Sequence, residues 1–266
     1  MFLTALPERK TIAGAETELL IQGTGQPLLF LHGGHGFDTH DPLIAALARH
    51  YRVIAPSLPG FGASPRPACV TTVDDIAYRM LDLIEDLDLE DLIVVGVSFG
   101  GWVAAELATK GSARIARLVL IDPVGCKFGD RETRDITDIY ATTAQQIPEL
   151  FFADEAKGLE TLHNLDFKDL PEETALRFAR NREALTLFGY APTLYNPKLK
   201  DRLHRIAVPT LLLWGSDDRI VSPDYGRQYA AAIPGARFEA IGEAGHYGYF
   251  EQPKTFADKI EAFLGA

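Results

Sequence analysis

The sequence predicts an α/β fold: a mostly parallel sheet flanked by helices, carrying an inserted helical cap. Three observations predict it. Short runs rich in Val, Ile and Leu recur along the chain, each closed by Gly, Pro, Ser or Asp, as strands buried on both faces are. Segments with apolar residues at helical spacing lie between them. The alternation then breaks off after Asp122-Pro123 and resumes only near Val208-Pro209.

The first run, Leu28 to Leu31, leads into His32-Gly33-Gly34-His35-Gly36. The second, Arg52 to Ala55, leads into Leu58-Pro59-Gly60-Phe61-Gly62-Ala63-Ser64. This glycine-rich loop fits no nucleotide-binding pattern, so no nucleotide cofactor is expected. A helix follows in which Ile76, Met80, Leu83, Ile84 and Leu87 share one face, and Thr72 stands three residues before Asp75 as in a capping box. The third run, Leu92 to Val97, passes directly into the helical pattern FGGWVAAELA. Leu118 to Ile121 and Thr210 to Trp214 are the fourth and fifth runs. A last helix opens at Pro253, a residue favoured in a first turn, and presents Phe256, Ile260, Phe263 and Leu264 on one face.

The interrupting stretch is rich in charge and aromatics and reads as three helices: Arg131 to Ala144, Pro148 to Asn164 and Pro171 to Leu187. A helical excursion between two parallel strands belongs over the carboxyl ends of the sheet, where open α/β sheets bind ligands. The expected division is a discontinuous core, 1–122 and 205–266, with a cap at 123–204.

Composition narrows the function. With 26 basic and 37 acidic side chains among 266 residues, the net charge of −11 argues against nucleic acid or an anionic membrane as the main partner. Two cysteines, Cys69 and Cys126, exclude a disulfide-dense scaffold and match no zinc spacing. The terminus MFLTALPERK lacks the apolar run of a secretory signal, and no stretch approaches the ~18 apolar residues of a membrane span. A cytoplasmic protein with a small-molecule substrate is expected; its oligomeric state stays open, a homodimer being one option.

Gly96-Val97-Ser98-Phe99-Gly100 matches G-x-S-x-G at a strand-to-helix junction, where a serine is held on a tight turn with its hydroxyl above the sheet. A serine hydroxyl needs a base to take its proton and a third group to orient that base. His246 lies in GEAGHYGYF, just before the final helix, and Asp217 and Asp218 follow the fifth run. The chain order serine, acid, histidine is that of a nucleophile-elbow hydrolase. His32, His35 and His40 cluster in sequence, but no acidic ligand set completes a metal site, so no metal is expected.

The segments LLFLHGG, RVIAPSLPGFGAS, VVGVSFGG, PTLLLWGSDDRIV and AGHYGYFEQP together resemble the α/β-hydrolase fold, in its capped, esterase-like form. The resemblance implies a catalytic Ser98, Asp218 and His246. The family pattern W-G-x-x-D selects Asp218 over Asp217, with Asp122 as the remaining contender. It also implies an oxyanion hole from the backbone N–H groups of Gly34 and Phe99, and no cofactor. His35, Trp102, Arg182 and Tyr247 are expected at the substrate pocket, as are some of the cap aromatics Phe151, Phe152, Phe178, Phe188, Tyr190 and Tyr195. The activity implied is hydrolysis of a small, largely apolar carboxylic ester, thioester or lactone through an acyl-enzyme. The alternatives are a carbon–carbon bond hydrolase of vinylogous diketones and, from another class, a non-catalytic ligand receptor. Against the diketone hydrolases, the glycine-proline-glycine stretch usual after their His-Gly is replaced by His35-Gly36-Phe37.

Overall fold

A computed structural model of the chain describes residues 6–36, 38–143, 145–156, 158 and 170–265. Eight strands form one sheet: β1 (Glu8–Ile12), β2 (Ala15–Gln22), β3 (Pro27–Leu31), β4 (Arg52–Pro56), β5 (Leu92–Val97), β6 (Ile115–Ile121), β7 (Thr210–Gly215) and β8 (Arg237–Ile241). Their spatial order is β1-β2-β4-β3-β5-β6-β7-β8. β2 pairs antiparallel with β1 and β4, and every other pairing is parallel.

All five expected runs are strands of this sheet, shifted by a few residues at most at their ends. Successive side chains point to opposite faces and feed two separate cores. Leu29, Leu31, Val94, Leu118, Leu120, Leu212 and Trp214 pack on one side, with α2 (Val73–Asp86), α3 (Phe99–Thr109) and α6 (Pro223–Ala231). Leu28, Phe30, Ile93, Val95, Val119, Leu211 and Leu213 pack on the other, against α1 (Pro42–Leu47) and α8 (Pro253–Leu264). The capping box of α2 is closed: Asp75 N–H donates to Thr72 Oγ1 at 3.1 Å, and Thr72 N–H donates to Asp75 Oδ2 at 2.8 Å.

Between β6 and β7 the chain leaves the sheet. This inserted segment contains α4 (Ile147–Phe151), α5 (Glu172–Gly189) and a 3₁₀ helix (Lys200–Arg205). The helix expected over Pro171 to Leu187 is α5, with Pro171 at its N-cap. The one expected over Arg131 to Ala144 does not form over the described residues 131–143. Asp130 Oδ1 instead takes the N–H groups of Glu132 and Thr133, and Asp135 Oδ2 takes those of Phe128 and Gly129. Such local side-chain acceptors compete with the helical ladder. The helix expected from Pro148 is interrupted at 152–154, because Phe152 is extended and Glu251 Oε1 accepts from Ala153 and Asp154 N–H, and helical conformation returns at Glu155, Ala156 and Gly158. Residues 159–164, the end of that expectation, lie outside the described residues. Among the described residues, no helix is long and apolar enough to cross a membrane.

Candidate active site

Ser98 joins β5 to α3 with φ +51° and ψ −112°, a conformation that costs a non-glycine residue about 1–3 kcal/mol. Its N–H donates to Ile121 O at 2.8 Å, and its carbonyl accepts from Trp102 and Val124 N–H at 3.1 and 3.3 Å. Neighbouring glycines make the turn possible: a Cβ on Gly100 would lie 2.1 Å from Leu31 O, and one on Gly96 2.5 Å from Gly100 O. Of residues 92–109, Ser98 alone is not buried. The strained turn thus brings a single hydroxyl out of the core.

That hydroxyl meets His246, in the loop between β8 and α7 (Gly248–Glu251), with Oγ 2.8 Å from Nε2. The other ring nitrogen, Nδ1, lies 2.8 Å from Asp218 Oδ2. Asp218 Oδ1 already accepts from Ile220 and Val221 N–H at 2.7 and 3.0 Å. With the carboxylate acting as acceptor throughout, Nδ1 carries the proton and Nε2 is free to accept from Ser98. His246 and Asp218 are 1% and 5% exposed, so the pair is shielded from water. Asp217 is exposed and accepts from Ser216 Oγ instead.

The loop after β3 closes the site from the other side. Leu58 N–H donates to His32 Nε2 at 3.0 Å, so Nδ1–H donates to Gly33 O at 2.7 Å. Burial holds His32 down to about 4, and the ring is neutral near pH 7. Gly36 N–H donates to the same Gly33 O at 3.1 Å. A Cβ on Gly33 would lie 3.6 Å from Ser98 Cβ, so the Gly33–Gly34 peptide lies beside the serine with its carbonyl held twice. Phe99, first residue of α3, has an N–H with no acceptor inside the helix.

The inserted segment touches every one of these loops. Ile136 bridges to Val221 and Thr137 N–H donates to Ile220 O at 2.9 Å, behind Asp218. Tyr247 N–H donates to Phe151 O at 2.8 Å, and the Phe151 ring stands 5.5 Å from His246. The profile of the alpha/beta hydrolase family matches residues 28–259. The chain belongs to that family.

Relatives of this α/β hydrolase span nearly its whole length. An uncharacterized protein of Mycobacterium tuberculosis is 29% identical over 96% of this chain and 80% of its own. The 2-hydroxy-6-oxo-6-(2'-aminophenyl)hexa-2,4-dienoic acid hydrolase of Metapseudomonas resinovorans is 27% identical over 94% of this chain and 88% of its own. Among solved structures, a meta-cleavage product hydrolase from Pseudomonas fluorescens IP01 superposes with a TM-score of 0.78 at 24% identity, covering 98% of each chain.

The other expected pocket residues of this hydrolase separate. Tyr247 is half-buried beside His246, its ring 4.7 Å from Phe151 and 5.2 Å from His35. His35 Nε2 lies 3.4 Å from Tyr249 Oη, and burial, with His32 and His246 nearby, holds His35 down to about 3. Trp102 departs from expectation. Its ring packs against Phe99 and Gly125 within the core, and its indole N–H donates to the buried Glu106. Arg182 departs too: it lies on the exposed side of α5. Of the cap aromatics, Phe151 reaches His246 and Phe188 packs on Phe99, while Tyr190 is exposed and meets Tyr140 edge to face. His40 is exposed near Asp38, and no group of three or more His, Cys, Asp and Glu among the described residues is arranged to hold a metal.

Two groups that the hydrolase's sequence does not advertise lie here. One is Asn181, which reaches from α5 to the loop after β3. The other is the buried Glu18 of β2, paired with Arg177 of α5.

Asp122, the contending acid, is fully buried and accepts from Gly215 N–H at 2.9 Å through Oδ1. Burial and the charge of Asp218 push its carboxyl well above the usual range, so the folded hydrolase keeps a proton that the unfolded chain releases. Its stabilising contribution is complete below the unfolded-state value near ~4 and is lost as pH rises toward the folded one. Asp122→Asn, neutral at every pH, should leave kcat essentially unchanged. Its melting temperature relative to wild type should climb from acid to neutral pH. A pH-independent difference in melting temperature would show that Asp122 is ionised in the fold.

Proposed function

We propose that this α/β hydrolase is a serine hydrolase that cleaves a small, largely apolar carboxylic ester through an acyl-enzyme. The observation that carries the reading is the hydrogen-bonded series Ser98 Oγ, His246 and Asp218, at 2.8 Å for each link. Ser98 attacks the acyl carbonyl as His246 Nε2 takes its proton, and Asp218 stabilises the imidazolium that forms. The N–H groups of Gly34 and Phe99 hold the oxyanion, and His246 then protonates the leaving alcohol. Water, activated by the same imidazole, releases the acid. Residues 123–204 act as the cap, and Phe151, Tyr247 and Leu185 supply an apolar lining.

A second reading, carbon–carbon bond cleavage of a vinylogous diketone, is favoured by the 27% identity to the dienoic acid hydrolase. The arginines of α5 favour the ester. A dienoate carries a carboxylate that calls for a cation, yet Arg177 is committed to Glu18 and Arg180 and Arg182 are exposed. Turnover of aryl esters of short acids should therefore exceed that of a coloured ring-fission dienoate. The reverse ranking would establish the diketone reading. Ligand-induced thermal stabilisation without turnover of either would favour a receptor.

A further inference from the structure

The inward face of α5 meets the core at each turn, through Arg177, Asn181, Leu185 and Phe188. Arg177 forms a two-pronged ion pair with Glu18, at 3.0 and 2.5 Å. Leu185 covers Gly34, where a Cβ would come within 2.7 Å of its Cδ2. Between these two, Asn181 is 6% exposed and its amide is committed at both ends. Its Oδ1 accepts from Gly62 N–H at 2.7 Å, and its Nδ2 donates to His35 O at 2.6 Å. One partner can only donate and the other only accept, so a single amide orientation satisfies both. The fit is tight: a Cβ on Gly36, whose φ is +89°, would lie 2.3 Å from Asn181 Nδ2.

The bond to His35 O acts beyond its own peptide. The His35–Gly36 peptide turns its N–H to Gly33 O at 3.1 Å. Gly33 O belongs to the Gly33–Gly34 peptide, and in a trans unit the N–H of Gly34 points the opposite way. We infer that Asn181 is a positioning residue: acting through two linked peptide planes, it aims the Gly34 N–H at the oxyanion formed on attack by Ser98. The inference rests on the serine-hydrolase reading above. It makes the inserted helix part of the oxyanion hole without a side chain of that helix touching the reacting atoms.

Asn181→Asp separates this role from simple packing. One carboxylate oxygen can still accept from Gly62 N–H, but the other meets the His35 carbonyl and repels it. Once protonated, the same carboxyl donates to that carbonyl. The measurement is the second-order rate of phosphonylation by a fluorophosphonate, for wild type, Asn181→Asp and Asn181→Ala, between about pH 5 and about pH 9. The charged and titratable groups around position 181 are Arg177 of the same helix, Glu18 of β2, His32 and His35 of the loop, and Asp38 beyond it. All are present in each variant, so the ratio to wild type reports the substituted side chain.

The Asp variant should be slower by about tenfold or more at high pH and recover toward wild type as pH falls. The Ala variant should be slower by a pH-independent factor. Rates equal to wild type throughout in both variants overturn the inference alone. If Asn181→Asp does not fold, Asn181→Ala with an aryl ester decides: kcat falls at unchanged KM if the loop is positioned, and a rise in KM alone overturns it. No adduct on folded wild-type protein overturns the serine-hydrolase reading, and this inference with it.

Discussion

Ser98→Ala is expected to lower kcat by about a million-fold and to abolish labelling by a fluorophosphonate, the order of loss when a nucleophile of this kind is removed. Intact mass checks the second part directly, with one phosphonyl adduct on wild type and none on the variant. The fold should survive, because the strain at φ +51° resides in the backbone and, among the described residues, the side chain's hydrogen bond is to His246. An adduct on both proteins would place the reactive hydroxyl elsewhere. A variant that kept most of its turnover would remove Ser98 from the chemistry altogether.

Asp218→Asn should cost about 10⁴-fold in kcat, through the tautomer of His246 and not through lost packing. Ile220 and Val221 N–H both require an acceptor at the Oδ1 position, at 2.7 and 3.0 Å. The asparagine oxygen must occupy that place, which turns its NH₂ toward Nδ1. The ring then carries its proton on Nε2 and can no longer accept from Ser98. Steady-state kinetics against an aryl ester, beside Asp122→Asn, reads the result. Near wild-type turnover in Asp218→Asn with an inactive Asp122→Asn would transfer the role to Asp122.

The strands of the sheet's middle were legible because both of their faces are buried, which leaves runs such as Leu92–Val97 with no polar residue. β1, β2 and β8 escaped notice for the opposite reason. Arg237-Phe238-Glu239-Ala240-Ile241 lies at an edge and interleaves charge with apolar residues, and β2 carries Glu16 and Glu18. Richness in charge and aromatics suggested a helix after Arg131, yet Asp130 and Asp135 take the main-chain donors there. At the candidate site, Ser98 and His246 drew notice because each stands just past a strand or just before a helix, whereas the choice of Asp218 over its neighbour Asp217 needed the family pattern W-G-x-x-D. Asn181 could not be read in either way. Its partner His35 is 146 positions away, and nothing local to α5 distinguishes a buried asparagine from a solvated one.

The two sides of α5 carry different freedoms. Leu176, Arg180, Glu183, Leu187 and Tyr190 face outward and can drift with little consequence for rate. Arg177 is tied to Glu18 of β2, and Asn181, Leu185 and Phe188 to the loop after β3 and to Phe99, so on the reading proposed above a change at Asn181 alters turnover before it alters preference. New substrate ranges in descendants of this chain are therefore easier to reach through the α4 side, where Phe151 and Phe152 stand against Tyr247, than through the helix that covers more of the site. The helix that shelters the reaction is the part least free to be redesigned.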